Sequence, residues 1–99
     1  MVIMIIETPY KANDTITIRT TAGEELVARF VSENATHLVV TKPLALQASQ
    51  QGIGLGPWTF TVDPAANIKI NMHSIVFVHK TDKDMASQYM SATTGLTLA

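Results

Sequence analysis

The chain has no cysteine. Disulfides and thiolate zinc sites are therefore excluded, and a reducing compartment is allowed. Charge is also scarce. Asp, Glu, Lys and Arg make up 15% of the 99 residues, against an apolar fraction of 46%. A soluble monomer usually displays more Lys and Glu, and a small domain keeps much of its surface exposed, so part of the apolar surface is expected to be covered by copies of the same chain. There is no basic excess either. Seven Lys and Arg stand against eight Asp and Glu, for a net charge of −1. Nucleic-acid binding would then need a local patch, or an oligomer that concentrates a few groups. No apolar run approaches the ~20 residues of a membrane span. Met1–Ile6 is apolar but lacks a basic leader region and a small-residue cleavage site, so it reads as a short strand or packed arm. The expectation is one domain, cytoplasmic, with no membrane partner.

What is present is mostly strand signal. Ile16 and Ile18 alternate with Thr15, Thr17 and Arg19, the period-two pattern of a half-buried strand. Thr21-Ala22-Gly23 is a turn in which Gly23 can take the positive φ. Leu26, Ala28 and Phe30 alternate with Val27, Arg29 and Val31. Ser32-Glu33-Asn34 breaks that strand, and His37–Val40 begins a third, which Leu44–Leu46 could extend past an edge or bulge marked by Pro43. Residues 47–56 (QASQQGIGLG) are uncharged and glycine-rich, and predict a flexible loop or hairpin tip. Trp58, Phe60 and Val62 predict a strand, as do Ile68, Ile70 and Met72. Ile75–Val78 is apolar on both faces, which marks a central strand or one covered by a neighbour. A helix is predicted over residues 81–95, with Thr81 as N-cap, Asp84 close to a capping box, and Gly95 as the stop. Met85, Tyr89 and Met90 form its packing stripe. The five or six short strands and terminal helix define a mainly β chain, built as a small barrel or strongly bent sheet.

The stretch from Thr15 to Pro43 resembles the first signature of the Sm and Sm-like (LSm, Hfq) family. In that signature a strand and a glycine turn lead into a bent second strand. A small residue lies five positions after the glycine, an apolar residue two later, and an acidic residue opens the next loop. Gly23, Ala28, Phe30 and Asn34 occupy these places. Ala28 stands for the usual glycine and Asn34 for the usual aspartate. The segment Asn71–Val78 (NMHSIVFV) is similar to the second signature, a strand ending in a polar pair, a tight turn, and a final apolar strand. Met72-His73 stands where bacterial Hfq has a lysine-histidine pair. Two features lie outside the family pattern: the long stretch at 47–67 and the placement of the helix at the C-terminus.

The resemblance implies a five-stranded, strongly bent Sm-like (SH3-like) barrel over residues 14–79. To this are added a strand or hairpin extension at 47–67, an N-terminal arm at 1–13 and a C-terminal helix. It implies a homo-oligomeric ring closed by edge-strand pairing, without catalysis, binding single-stranded RNA at its inner rim. The residues implied at that rim are Asn34, Thr36 and His37 in one loop and Asn71 and His73 in the other, with Lys69 or Lys42 offering phosphate contacts. An imidazole can stack on a base, Asn can pair with a base edge, and a ring multiplies each contact. Thr36 stands where the family often has an aromatic, and Leu38 where it often has Asn. The alternative is a structural ring that binds no nucleic acid. An overall similarity to Sm-like proteins of phage genomes suits either reading.

Other chemistry finds little footing. On one strand His73 and His79 would lie about 20 Å apart at ~3.3 Å per residue, too far for one metal ion. Gly52-Ile53-Gly54-Leu55-Gly56 is followed by Pro57 and a strand, whereas a phosphate loop opens a helix. No catalytic triad order or carboxylate pair stands out, and no cofactor is expected.

Overall fold

A computed structural model describes residues 10–94. The arm expected over Met1–Ile6 and the Gly95 helix stop lie outside them. The chain forms one antiparallel, open six-stranded sheet and a C-terminal helix. Strands β1 (Thr15–Thr20), β2 (Glu25–Glu33) and β3 (His37–Ser49) are the meander read from the sequence. They are followed by β4 (Gly52–Pro57), β5 (Asn67–Asn71), a 3-10 turn (Met72–Ser74), β6 (Ile75–Lys80) and helix α1 (Lys83–Thr93). The sheet runs β4-β3-β2-β1-β6, and β5 pairs with β3 beyond the end of β4. No helix among the described residues is long and apolar enough to cross a membrane.

One face of the meander builds the core. Ile16, Ile18, Leu26, Ala28, Phe30, Leu38, Val40 and Ile70 form a single buried cluster, flanked by Tyr10, Trp58, Met72 and Val78. Each fully buried Ile, Leu or Val stabilises the fold by about 1.5–3 kcal/mol relative to exposure. Gly23, at φ 92, closes the β1–β2 turn as expected. Ala28 faces Ile16 across the ladder with no exposed surface.

The second face of the meander is also covered. Val27 is 1% exposed although Leu26 and Ala28 point the other way. Val27 shares its face with Thr17 and Arg29, and both reach the helix segment. The Thr17 and Thr81 hydroxyls lie 2.9 Å apart, and Arg29 Nη2 donates to Met90 Sδ. Asp82, not Thr81, is the N-cap, accepting from Met85 N at 2.8 Å; Thr81 is held instead by Thr17. Of the Met85/Tyr89/Met90 stripe, Tyr89 is fully buried, while Met90 is 38% exposed.

Lys42 is where the sheet changes partner. The β2–β3 register slips between Val27 and Arg29, whose partners are Leu44 and Thr41. The extra residue lies on β3, and Lys42 takes the left-handed region at φ 53. Pro43 follows, and it has no N–H to lose from the ladder, so a bulge here leaves one donor fewer stranded. Before the bulge, His37–Thr41 pair with β5; after it, Leu44–Ser49 pair with β4. Tyr89 Oη donates to the Lys42 carbonyl at 2.7 Å and lies 3.3 Å from that of Thr41. The helix is thus fastened to the carbonyls that the irregular strand presents.

Of the two readings of residues 47–56, a flexible loop or a hairpin tip, the hairpin holds. These residues form most of a regular hairpin whose tip is Gln50-Gln51, with Gly52 at φ 117. Trp58–Val62 is not a strand, since it has no ladder partner among the described residues and the chain runs through bends to β5. Of the two readings of the final strand, central or covered by a neighbour, the first does not hold among the described residues: it pairs there with β1 alone, carries an extra residue opposite Arg19/Thr20, and leaves Val76 61% and Phe77 47% exposed. The bulge at Lys42 matches the position marked by Pro43.

Replacing Tyr89 by Phe removes the donor to the bulge and should destabilise the fold by about 1–3 kcal/mol in urea denaturation. Burial pushes the Tyr89 hydroxyl up to about 12, with Arg29 opposing, and pushes that of Tyr10 up to about 12, aided by its bond to Glu33. The folded state therefore holds these protons more tightly than the unfolded chain. The tyrosines' contribution to stability should be fully present below pH 10 and be lost as the pH rises from 10 towards 12, with a shallower loss in Tyr89→Phe, as read by urea denaturation across that range.

Candidate nucleic-acid interface

The two turns singled out in the sequence meet in space. The β2–β3 turn is closed by Asn34, whose backbone N–H donates to the His37 carbonyl at 2.9 Å. Its side-chain Oδ1 accepts three bonds, from Thr36 N at 2.8 Å, Thr36 Oγ1 at 3.0 Å and His37 N at 2.9 Å. This is an Asx-type turn, the reason Asn serves where a two-residue connection must reverse the chain. Asn71 does the same at the other turn. It is the N-cap of the 3-10 turn and its Oδ1 accepts from His73 N at 2.9 Å.

The ladder between β3 and β5 joins them. His37 and Asn71 are paired residues, and Met72 N donates to the Thr36 carbonyl at 2.9 Å. Asn34, Thr36, His37, Asn71 and His73 therefore form one polar rim at one end of the sheet. Thr36 Oγ1 lies 2.9 Å from His37 Nδ1. Because that hydroxyl already donates to Asn34, the network assigns a proton to Nδ1, which donates to Thr36 Oγ1. With both Asn oxygens committed to the turns, the groups left to meet a ligand are the two amide NH2 groups, His37 Nε2, and the exposed His73 ring.

The cations divide. Lys69 lies two residues before Asn71 on the exposed side of β5, and no hydrogen bond or ion pair engages it among the described residues. It borders a groove of about 330 Å3 that runs from Asn71 and Ser74 to Trp58, Thr20 and Glu24. Lys42 is not part of this site. It sits at the bulge, past the far end of the β3–β5 ladder, with Nζ donating to the Thr93 carbonyl at 3.4 Å.

Trp58 and Glu24 were missed by sequence reasoning. The indole N–H of Trp58 donates to Glu24 Oε2 at 3.1 Å, which anchors the segment after β4 to the β1–β2 turn and puts an aromatic wall beside Lys69. No sequence signal announces the pair, because the alternation of Trp58 with Phe60 and Val62 reads as strand. Among the described residues, no group of three His, Cys, Asp or Glu could hold a metal ion. His73 and His79 do not share a strand, since His73 lies in the 3-10 turn.

No family model matches the chain, and no curated protein matches it significantly.

The Asn34 carbonyl is the hinge of this geometry. Asn34→Ala should cost about 0.5–2 kcal/mol, while Asn34→Asp, which keeps the acceptor, should stay close to the parent in thermal denaturation.

Proposed function

We propose that the chain is an Sm-like domain that assembles into a homo-oligomeric ring and binds single-stranded RNA at the rim formed by its two polar turns, without catalysis. The observation that carries this reading is the hydrogen bond from Met72 N to the Thr36 carbonyl. It seats Asn34, Thr36 and His37 beside Asn71 and His73, the juxtaposition that the resemblance requires. The strand order β6-β1-β2-β3-β5, with a 3-10 turn linking β5 to β6, is compatible with it. Among the described residues each of β5 and β6 pairs on one side only, which would leave a row of backbone donors and acceptors for a neighbouring copy. Exposed Phe77 on β6 supplies apolar area for such a contact. At the rim, amide NH2 groups and imidazoles suit base edges and faces, and Lys69 suits a phosphate.

A second reading, a ring that serves assembly alone, draws on a specific observation. Both rim asparagines use their carbonyl oxygens to hold the turns, and Glu33 and Glu24 flank the rim with negative charge. Fluorescence anisotropy with short oligo-U and oligo-A RNA, at low and moderate salt, separates the two. RNA binding should weaken as salt rises and fall at least tenfold in His37→Ala and in His73→Ala. A stable oligomer by light scattering with no RNA bound at low salt would leave the assembly reading standing. A monomer at micromolar concentration would remove both.

A further inference from the structure

The β3–β4 hairpin is unexplained by the rim or by the open edges of β5 and β6. The last residue of β3 that pairs with β2 is Ala45, opposite Leu26. From Leu46 to Leu55 the hairpin is a two-stranded ribbon, with no partner on either outer edge among the described residues. It reaches roughly 15 Å past Ala45 at ~3.3 Å per residue. A ribbon of two strands is marginal in water and gains stability from a third strand or a packed surface.

Its composition is equally unusual. From Pro43 to Val62 the chain has no Asp, Glu, Lys, Arg or His. Exposed edges are normally guarded by charge, and this one carries none where guarding is most needed. Ile53, near the tip, is 62% exposed. The root of the hairpin is anchored, because Trp58 bonds to Glu24 and packs against the core.

The same chain has a receptor of matching character. Where β3 leaves β5 for β4, a groove of about 510 Å3 opens between Pro43, Leu44, Pro57, Val62, Ile68 and Ala92. One wall of this groove is the root of the hairpin itself. The tip points away from that root and cannot fold back into its own groove. A second copy's tip can enter it, and would then lie along the first copy's uncharged ribbon and cover its unguarded edge. Lys42, Thr59, Asp63 and Thr93 add polar groups to a lining that is otherwise apolar.

We propose that the β3–β4 hairpin is an exchange arm whose tip, led by Ile53, seats in the Pro43–Ala92 groove of a second copy of this chain. The contact is independent of edge pairing through β5 and β6. It adds a second bond between copies and protects a ribbon that would otherwise be an aggregation site.

The absence of cysteine makes the test direct. Two single-cysteine chains, Ile53→Cys and Ala92→Cys, are mixed under mild oxidation in a Phe77→Lys background that weakens the β6 edge. A hetero-dimer at least tenfold above that of Ile53→Cys mixed with Asp84→Cys, which lies on the exposed start of the helix, is expected. No excess over that control overturns the proposal. In parallel, residues 47–54 are replaced by Asn-Gly, a two-residue hairpin turn between the paired Leu46 and Leu55. This variant and Ile53→Lys should keep the parent's circular dichroism and raise the concentration for half-association about tenfold. An unchanged midpoint in the folded short-arm variant, or a parent chain monomeric at every concentration tested, also overturns it. Loss of association in unmodified Phe77→Lys with the arm cross-link retained assigns the edge and the arm to separate contacts.

Discussion

The structure depends on one irregular residue in its longest strand. Lys42 adopts a left-handed backbone in the middle of β3, a conformation that costs a non-glycine residue on the order of 1–3 kcal/mol. It persists because the surroundings hold it from both sides. Pro43 removes a donor that the bulge would strand, and Tyr89 bonds the carbonyl that the bulge displaces. In return β3 serves three neighbours: β2 along one edge, and β5 and β4 in succession along the other. The core, the rim at one end of β3 and the hairpin at the other all follow from that division.

The rim illustrates how much of a polar site can be scaffold. Asn34 and Asn71 each close a turn through one oxygen, and the β3–β5 ladder brings the turns together. What remains for a ligand is a set of donors and rings on a frame already satisfied in its own hydrogen bonds. Such a frame is preorganised, and little ordering is left to occur on binding. Charge beside it is of both signs, with Lys69 and Glu24 lining the same groove.

The meander was readable because its signals agree. Ile16, Ile18, Leu26, Ala28 and Phe30 alternate cleanly, and Gly23 is the only glycine between them, so pattern and turn chemistry indicate one register. The meeting of Asn34–His37 with Asn71–His73 rested on the family resemblance alone, and the ladder pairs them. The hairpin at 44–57 was legible only as one of two alternatives because Gly has weak strand propensity, and its order comes from cross-strand pairs closed by a two-residue tip. Trp58–Val62 misled in the opposite way. Its alternation is real, but Trp58 packs on the core while Phe60 is 84% exposed, and no strand lies alongside. The N-cap moved from Thr81 to Asp82 because Thr17, far away in sequence, engages Thr81. A left-handed lysine has no sequence signature, and the Lys42 bulge was hinted at only by the proline after it.

The bond from Tyr89 to Lys42 spans 47 positions of the chain. Its acceptor is in place only where β2 and β3 are paired out of register, so this contact of the helix requires the irregular sheet. The converse also holds, because without the helix the strained residue loses the partner that offsets its cost. Sheet irregularity and helix are therefore one cooperative unit joined by a long-range contact. Seen as a history of the polypeptide, a residue synthesised 47 positions after the bend is the one that lets the chain keep it.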